Sequence, residues 1–342
     1  MKIGIVGFSG SGKTTLFNAL TGQDIPVGFG NKVNLGTIKV PDARIDRLVE
    51  IDNPKKITFT EIIFADVPGG KGSTSLDTQT LGKIREMDAL AQVVRGFDEG
   101  AGTPEPVNEI LGFESELILS DMSVIEKRLE RLRKDRSDMK LLDVLERCGA
   151  HIESEQPLRT LELTELEKKS LSGFTFLSLK PIMFVLSLPE GADATTLPAD
   201  VQKLADERNL AIVPICTAIE AEIASLDRDD QIEFLKDLGL EEPASARFIK
   251  TAYSLLNLIT FLTHGPDECR AWSIRKGSNA QEAAGAIHSD LARGFIRAEV
   301  ISFADFNKYG SEAACRDNGA FRIEGKEYIV QDGDICHIRF NV

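Results

Sequence analysis

Near its amino end the chain carries Gly7-Phe8-Ser9-Gly10-Ser11-Gly12-Lys13-Thr14, which matches the phosphate-loop pattern Gly-x-x-x-x-Gly-Lys-Ser/Thr at every required position. A triphosphate needs many N–H donors converging on it. Glycines let a loop wrap closely, because they reach backbone angles that other residues avoid. The amino end of the helix that follows adds unpaired N–H groups and a partial positive charge. In this pattern Lys13 reaches the β and γ phosphates, and Thr14 sets its hydroxyl on Mg²⁺. Ser9, Gly10, Ser11, Gly12 and Thr15 complete the expected contacts to the nucleotide.

A second element stands at Asp66-Val67-Pro68-Gly69, after the apolar run Ile62-Ile63-Phe64-Ala65. It fits Asp-x-x-Gly, the switch element of GTPase-like proteins. Asp66 would hold Mg²⁺ through water, and the Gly69 N–H would sense the γ-phosphate. Alone, Asp and Gly at a strand end describe an ordinary turn. One strand after a phosphate loop, they make Lys13, Asp66 and Gly69 the expected catalytic set, with Thr14 and Asp66 as the expected metal set. The residue after Gly69 is Gly70, where Ras-like enzymes carry a water-orienting Gln, so slow turnover or a group supplied from elsewhere is expected. The guanine-reading Asn-Lys-x-Asp is absent after Pro181–Leu186, where Ser187-Leu188-Pro189-Glu190 stands instead. That favours adenine or relaxed base specificity. The histidines at 151, 264, 288 and 337 are scattered and read as structural.

These residues must be held by a fold. Apolar runs predict strands at Ile3–Val6, Thr58–Val67, Ala89–Val94, Pro181–Leu188 and Leu210–Ile215, alternating with helices. Such alternation argues for an α/β domain with a parallel sheet. Between the third and fourth strands the pattern is helical. Ile118, Met122, Ile125, Leu129 and Leu132 step by 4, 3, 4 and 3, and Met139 continues the seam after Arg136 interrupts it. A helix over about 114–147, a turn near Cys148–Pro157 and a second helix over Glu162–Leu171 would form an antiparallel coiled-coil arm. The window Glu126–Arg136 holds six basic and three acidic residues. From about Asn257 onward, short strands are expected at Arg270–Ile274, Ile296–Ile301, Tyr328–Val330 and Cys336–Phe340, with a helix over Ala280–Leu291. This order fits a small ubiquitin-like β-grasp sheet.

With 342 residues, 42% hydrophobic and 27% charged, the chain can bury the cores of two or three domains. Its net charge of −14 makes it a poor generic nucleic-acid binder, so any RNA contact must come from a local basic face. The five cysteines are far apart and form no Cys-x-x-Cys pair, which suits reduced thiols in a cytosolic protein. The chain enters a strand at once, so no signal peptide is expected. Its apolar stretches fall short of the roughly 20 residues that span a bilayer.

Longer runs carry a resemblance. Gly265-Pro266-Asp267-Glu268-Cys269-Arg270-Ala271-Trp272-Ser273-Ile274-Arg275-Lys276-Gly277, Ala283–Asp290, Arg293–Ile301 and Gln331-Asp332-Gly333-Asp334 are specific, as are Ile84–Ala89, Val93-Val94-Arg95, Val124–Leu129 and Val213–Cys216. Through them the chain resembles the YchF/Obg-like ATPase family of translation-factor-type P-loop proteins over essentially its whole length. The resemblance implies a GTPase-like P-loop domain over 1–111 and 175–256, a helical coiled-coil insertion over 112–174, and a TGS domain over 257–342. It implies slow hydrolysis with ATP favoured over GTP, Mg²⁺ as cofactor, and association with the ribosome or its RNA. It adds Ser187, Glu190, Cys216 and Thr217 to the nucleotide set. A cytoplasmic monomer that binds neither membrane nor DNA is expected. The expected RNA-facing surface combines the basic arm window with Arg270, Arg275, Lys276, Arg293 and Arg297.

The chain also departs from the family. Ser9-Gly10-Ser11 stands where the family has Pro-Asn-Val. The first-switch stretch Phe29–Asn34 lacks a Thr for Mg²⁺, Gly72–Gln79 replaces a glycine-rich second switch, and Ser187 replaces the base-reading Asn. The chain reads as a divergent member. Two functions follow from this: a slow ATPase (or GTPase) acting as a regulatory switch, or a nucleotide-sensing module with negligible hydrolysis. A phosphotransferase has no acceptor site or lid signature in its favour.

Overall fold

In the computed structural model, which describes residues 1–28, 32–69, 75–98, 102–135 and 138–341, the first apolar run is β1 (Lys2–Val6), buried after its first residue. α1 (Lys13–Thr21), β2 (Asn34–Lys39), α2 (Ala43–Asp52), β3 (Lys56–Thr58), β4 (Glu61–Asp66), α3 (Thr78–Arg85) and β5 (Ala89–Arg95) follow. Next come α4 (Pro106–Asp135), α5 (Met139–Glu153), α6 (Glu165–Leu171), β6 (Ile182–Ser187), α7 (Ala199–Arg208), β7 (Ile212–Ile215), α8 (Thr217–Ser225), α9 (Arg228–Asp237) and α10 (Ala244–Leu255). The last stretch holds β8 (Leu258–Thr263), β9 (Glu268–Arg275), α11 (Ala280–Ile287), α12 (Ser289–Arg293), β10 (Phe295–Ser302), α13 (Phe303–Tyr309), α14 (Glu312–Asp317), β11 (Arg322–Glu324) and β12 (Asp334–Phe340). Two compact units result: residues 1–38 with 63–252, and residues 39–62 with 253–342.

The first unit is built on a sheet in the order β2-β4-β1-β5-β6-β7. β1 runs parallel to β4 and β5, β5 to β6, and β6 to β7. Every residue of β6, and all of β5 but Arg95, is buried. Strands buried on both faces need nearly continuous apolar runs, and these strands have them apart from Gln92 in β5, whose side chain donates to the Glu109 carbonyl at 3.2 Å. Parallel pairing sends the carboxyl ends of β1, β4, β5 and β6 to one edge, where α/β folds place their ligands.

α4 ties that edge to a helical hairpin. Its first half packs in the sheet core, where Phe113 meets Phe8 of the glycine-rich loop edge-on at 5.8 Å between ring centroids. In its second half Ile118, Ile125, Leu129 and Leu132 pack with Leu141, Val144, Leu145, Cys148 and Ile152 of α5. The seam read from the sequence does face a partner helix. However, α4 ends at Asp135 and α5 begins at Met139, so the expected helix over 114–147 is two helices and its pairing does not wait for a turn at 148–157. Asp138 caps α5, accepting the Leu141 N–H at 3.0 Å. Met139 does not continue the seam but is exposed. Buried Asp121 anchors α4, accepting the N–H groups of Leu177 and Ser178 at 2.8 and 2.7 Å and the Ser178 hydroxyl at 2.7 Å.

The second unit has a sheet in the order β11-β10-β12-β8-β9-β3. β8 and β9 form an antiparallel hairpin, β10 pairs antiparallel with β11 and β12, and β12 runs parallel to β8. The excursion 39–62 belongs here, since β3 pairs with β9 from Lys56↔Glu268 to Thr58↔Arg270. The expected strand over Thr58–Val67 is therefore divided: β3 and β4 lie in different sheets. The expected boundaries, which place all of 1–111 with the nucleotide-binding domain, miss this excursion. Tyr328–Val330 is not a strand, and Ile329 makes an isolated bridge to Asn279. The helix over 280–291 is interrupted at His288, whose extended backbone separates α11 from α12. β2, β8 and β11 were not anticipated.

Candidate functional site

The loop after β1 ends at Gly12, which has φ 92° and caps α1 without any side-chain hydrogen bond. The first N–H groups of α1 therefore keep their hydrogen-bonding capacity. Its φ requires glycine, and a Cβ there would also crowd Ser187 Oγ at 3.2 Å. A cleft of about 240 Å³ opens at this point, lined by Ser9, Gly10, Gly12 through Thr15, Val27-Gly28 and Pro68-Gly69. Ser11 does not line it. That residue is buried, and its hydroxyl lacks a partner.

Lys13, which lines the cleft, and Asp66, bonded to Thr14, are both buried. Lys13 Nζ donates to the Phe8 carbonyl at 2.6 Å. Burial pushes its pKa down to about 8, against the opposing pull of Asp66 and Glu109. Gly69 sits so close that an added Cβ would lie 3.0 Å from Lys13 Nζ and 3.2 Å from the Ser9 nitrogen. Asp66 Oδ2 accepts the Thr14 hydroxyl at 3.0 Å. Asp66 Oδ1 is buried with no hydrogen-bond partner. Burial raises the Asp66 pKa, although Thr14, Lys13 and the Asn34 side chain favour its charged form.

The arrangement is a cationic amine, a hydroxyl and a half-satisfied carboxylate converging beside a helix amino end. It suits a polyanion with a hard cation. Of the residues expected to read the base, Ser187 packs against Gly12 but none lines the cleft. Ser187 ends β6 fully buried, its hydroxyl without a partner and its carbonyl accepting the Gly96 N–H at 2.8 Å. Glu190 is exposed. Cys216 and Thr217 open α8, and Cys216 lines a separate cavity of about 320 Å³ with Ala192 through Thr195 and Glu220. Ser187, Glu190 and Thr217 line neither cavity.

Three side chains passed over in the sequence stand at the site. Asn34, at the end of the expected first-switch stretch, favours the charged form of Asp66. Glu109, from α4, accepts the Arg95 N–H at 2.8 Å and faces Lys13 electrostatically. Phe97 reaches within 3.9 Å of where a Gly12 Cβ would lie. The last two belong to no local pattern and are brought in by β5 and α4. Of the expected switch residues, Phe29–Asn31, Gly70 and Gly72–Thr74 lie outside the described residues, as does Arg136 of the basic window.

Comparison with known proteins agrees with this geometry. Residues 2–127 match the family described as 50S ribosome-binding GTPase, and residues 258–341 match the YchF GTPase carboxyl-terminal family, described as a protein of unknown function. The chain is 40% identical to the ribosome-binding ATPase YchF of Pasteurella multocida, covering 100% of this chain and 99% of that one. Against the protein of the same name from Bacillus subtilis it is 38% identical, with 100% of both chains covered. The structure of the Schizosaccharomyces pombe YchF GTPase superposes with a TM-score of 0.89 at 29% identity, covering 99% of this chain and 97% of that chain. The fold is thus of the P-loop GTPase-like α/β class, and the chain belongs to the YchF family.

Proposed function

We propose that this protein is a ribosome-associated P-loop ATPase that binds and slowly hydrolyses ATP, with GTP as the weaker substrate, as a regulatory switch. One observation carries the reading: Lys13 and Thr14 line one cleft at the amino end of α1, and Asp66 is joined to it through the Thr14 hydroxyl. The names of the relatives, which state ribosome binding and ATPase activity, support it.

Mg²⁺ fits the residues present. The unpartnered Asp66 Oδ1 and the Thr14 hydroxyl are oxygen donors of the kind it takes, and one carboxylate suffices when phosphates supply other ligands. When bound, the ion neutralises charge that develops on the phosphates. Thr14 and Asp66 would hold it. Lys13 leaves the Phe8 carbonyl to meet phosphate oxygens, and Ser9 through Thr15 wrap the chain N–H groups around them. Gly69, at the end of β4, is close enough to sense what the cleft holds. Among the described residues no carboxylate, imidazole or amide side chain lines the cleft to orient water, which supports slow turnover. The same observation favours the second reading, a nucleotide sensor with negligible hydrolysis, whose states differ in nucleotide affinity.

We read the hairpin of α4 and α5 as a coiled-coil arm, and the 253–342 region, with β12 parallel to β8, as a TGS domain. On the arm Arg131, Arg133 and Lys134 are exposed, although Arg133 pairs with Glu146 and Lys134 with Glu130. We assign this basic face to ribosomal RNA and the protein to the cytoplasm, as a monomer. Calorimetric titration of nucleotide-free protein with ATP and GTP, with Mg²⁺ and a Lys13→Ala control, tests the reading. ATP binding that Lys13→Ala abolishes supports it. Equal binding by parent and variant overturns it.

A further inference from the structure

In the second unit the sheet contains a gap at the place of a strand. β12 pairs with β10 along its whole length, from Ser302↔Asp334 to Phe295↔Phe340. On its other side it meets β8 at Ile335↔Leu262. β8 then stops at Thr263, and the chain turns through His264–Asp267 into β9. Among the described residues no strand lies beside Cys336–Phe340 on that side.

Main-chain phase shows which groups are left. Asn341 donates its N–H to the Gly294 carbonyl, on the β10 side. Successive residues of a strand alternate in direction. Arg339 and His337 therefore face β10, while Ile338 and Phe340 turn their N–H and C=O groups toward the gap. An open strand edge of this kind is a template for another strand.

A cavity of about 470 Å³ wraps this edge and reaches both faces of the sheet. On one face lie Ile287, Leu291 and Ile338, members of the core under α11. On the other lie Ile335, Phe321, His264 and Glu312. The lining holds four carboxylates, Asp267, Glu268, Glu299 and Glu312, and neither lysine nor arginine. Glu299 is satisfied by Arg297 and Arg339, and Glu268 by Thr58 and Lys56. Asp267 and Glu312 remain available, with side chains 84% and 48% exposed. Asp267 pairs with the exposed Lys55, a contact of little strength. Glu312 stands 3.3 Å from His264 Nε2.

We infer that this edge is a docking site for an extended peptide segment of a partner protein, one that alternates apolar and basic residues. The segment adds a strand to β12 in line with β8. Its apolar side chains enter toward Ile287, Leu291 and Ile338, and its basic side chains meet Glu312 and Asp267. About four to six residues fill such an edge. A nucleic-acid strand is disfavoured, because the cavity lining offers carboxylates and no Lys or Arg to meet phosphates.

Trp272, the chain's one tryptophan, lines the cavity and reports on it directly. The full chain is titrated with acetyl-Ile-Arg-Val-Lys-Ile-Arg-amide while tryptophan fluorescence is followed. Two further peptides carry N-methyl groups on alternate residues, one in each phase. The expected result is a saturable change that one N-methyl phase weakens by more than about tenfold and the other leaves intact. Glu312→Lys and Asp267→Lys, each checked for an unchanged melting temperature, are expected to weaken binding by about threefold or more. No saturable change up to millimolar peptide overturns the assignment. So does equal binding of both N-methylated peptides, which reports surface charge alone. Displacement of the peptide by oligouridylate, with the same change in Trp272 fluorescence, overturns it in favour of a nucleic-acid surface.

Discussion

Thr14 Oγ1 donates to Asp66 Oδ2 at 3.0 Å and so joins the first turn of α1 to the end of β4 across 52 positions of sequence. Parallel pairing of β1 with β4 makes the contact, since Ile5↔Asp66 register places both strand ends at one level. The bond uses one carboxylate oxygen and leaves Oδ1 without a partner.

Asp66→Asn removes the charge and keeps the shape. ATP affinity measured with Mg²⁺ is expected to fall by about a hundredfold, and to change little in EDTA. The comparison is calorimetric, with each protein titrated under both conditions. An equal fall in both would show that Asp66 maintains the loop and does not hold the ion.

A different carboxylate fixes the helical hairpin. Asp121 accepts three hydrogen bonds from Leu177 and Ser178 in a buried setting, although burial itself raises its pKa. Asp121→Ala leaves those donors buried without an acceptor, at a cost of about 3 kcal/mol. The midpoint of urea unfolding is expected to drop accordingly, and an unchanged midpoint refutes the anchoring role.

Local patterns made the phosphate end of the site legible, while distant ones hid the rest. Gly7–Thr14 and Asp66–Gly69 are contiguous stretches in which backbone geometry itself demands the residue types, so each could be read alone. Glu109 and Phe97 reach the loop by way of α4 and β5, and their spacing to it carries no period. The seam Ile118 to Leu132 was legible because helix packing repeats every few residues. Its turn was not, because Leu141, Val144, Leu145 and Cys148 of α5 continue an apolar pattern in which the break at Asp138 is one capping residue. The division of 58–67 was hidden for a related reason. Lys56–Thr58 and Glu61–Asp66 are both strands, and pairing in two different sheets leaves no local mark.

Ser187 offers a test of base reading. Its hydroxyl is buried against Gly12 without a partner, so removing it relieves an unsatisfied polar group. Ser187→Ala is expected to leave the melting temperature of the nucleotide-free protein unchanged or to raise it, by up to about 1 kcal/mol of stability. A clear loss of stability shows that the hydroxyl is bonded in the folded protein. If the ratio of ATP to GTP affinity also stays constant, Ser187 takes no part in purine choice.

The cysteines lead to the last expectation. All five are free and buried. Burial pushes the Cys148 thiol up to about 11 and raises those of Cys269, Cys315 and Cys336. The thiolate is the reactive species, so raised and inaccessible thiols are slow nucleophiles. Native protein treated with iodoacetamide at pH 8 is expected to stay unmodified over the time in which the urea-unfolded chain is alkylated at every cysteine. Mass spectrometry reads both. Rapid modification of one cysteine in the folded protein identifies a thiol that local opening exposes, and that residue then becomes a candidate for redox sensing.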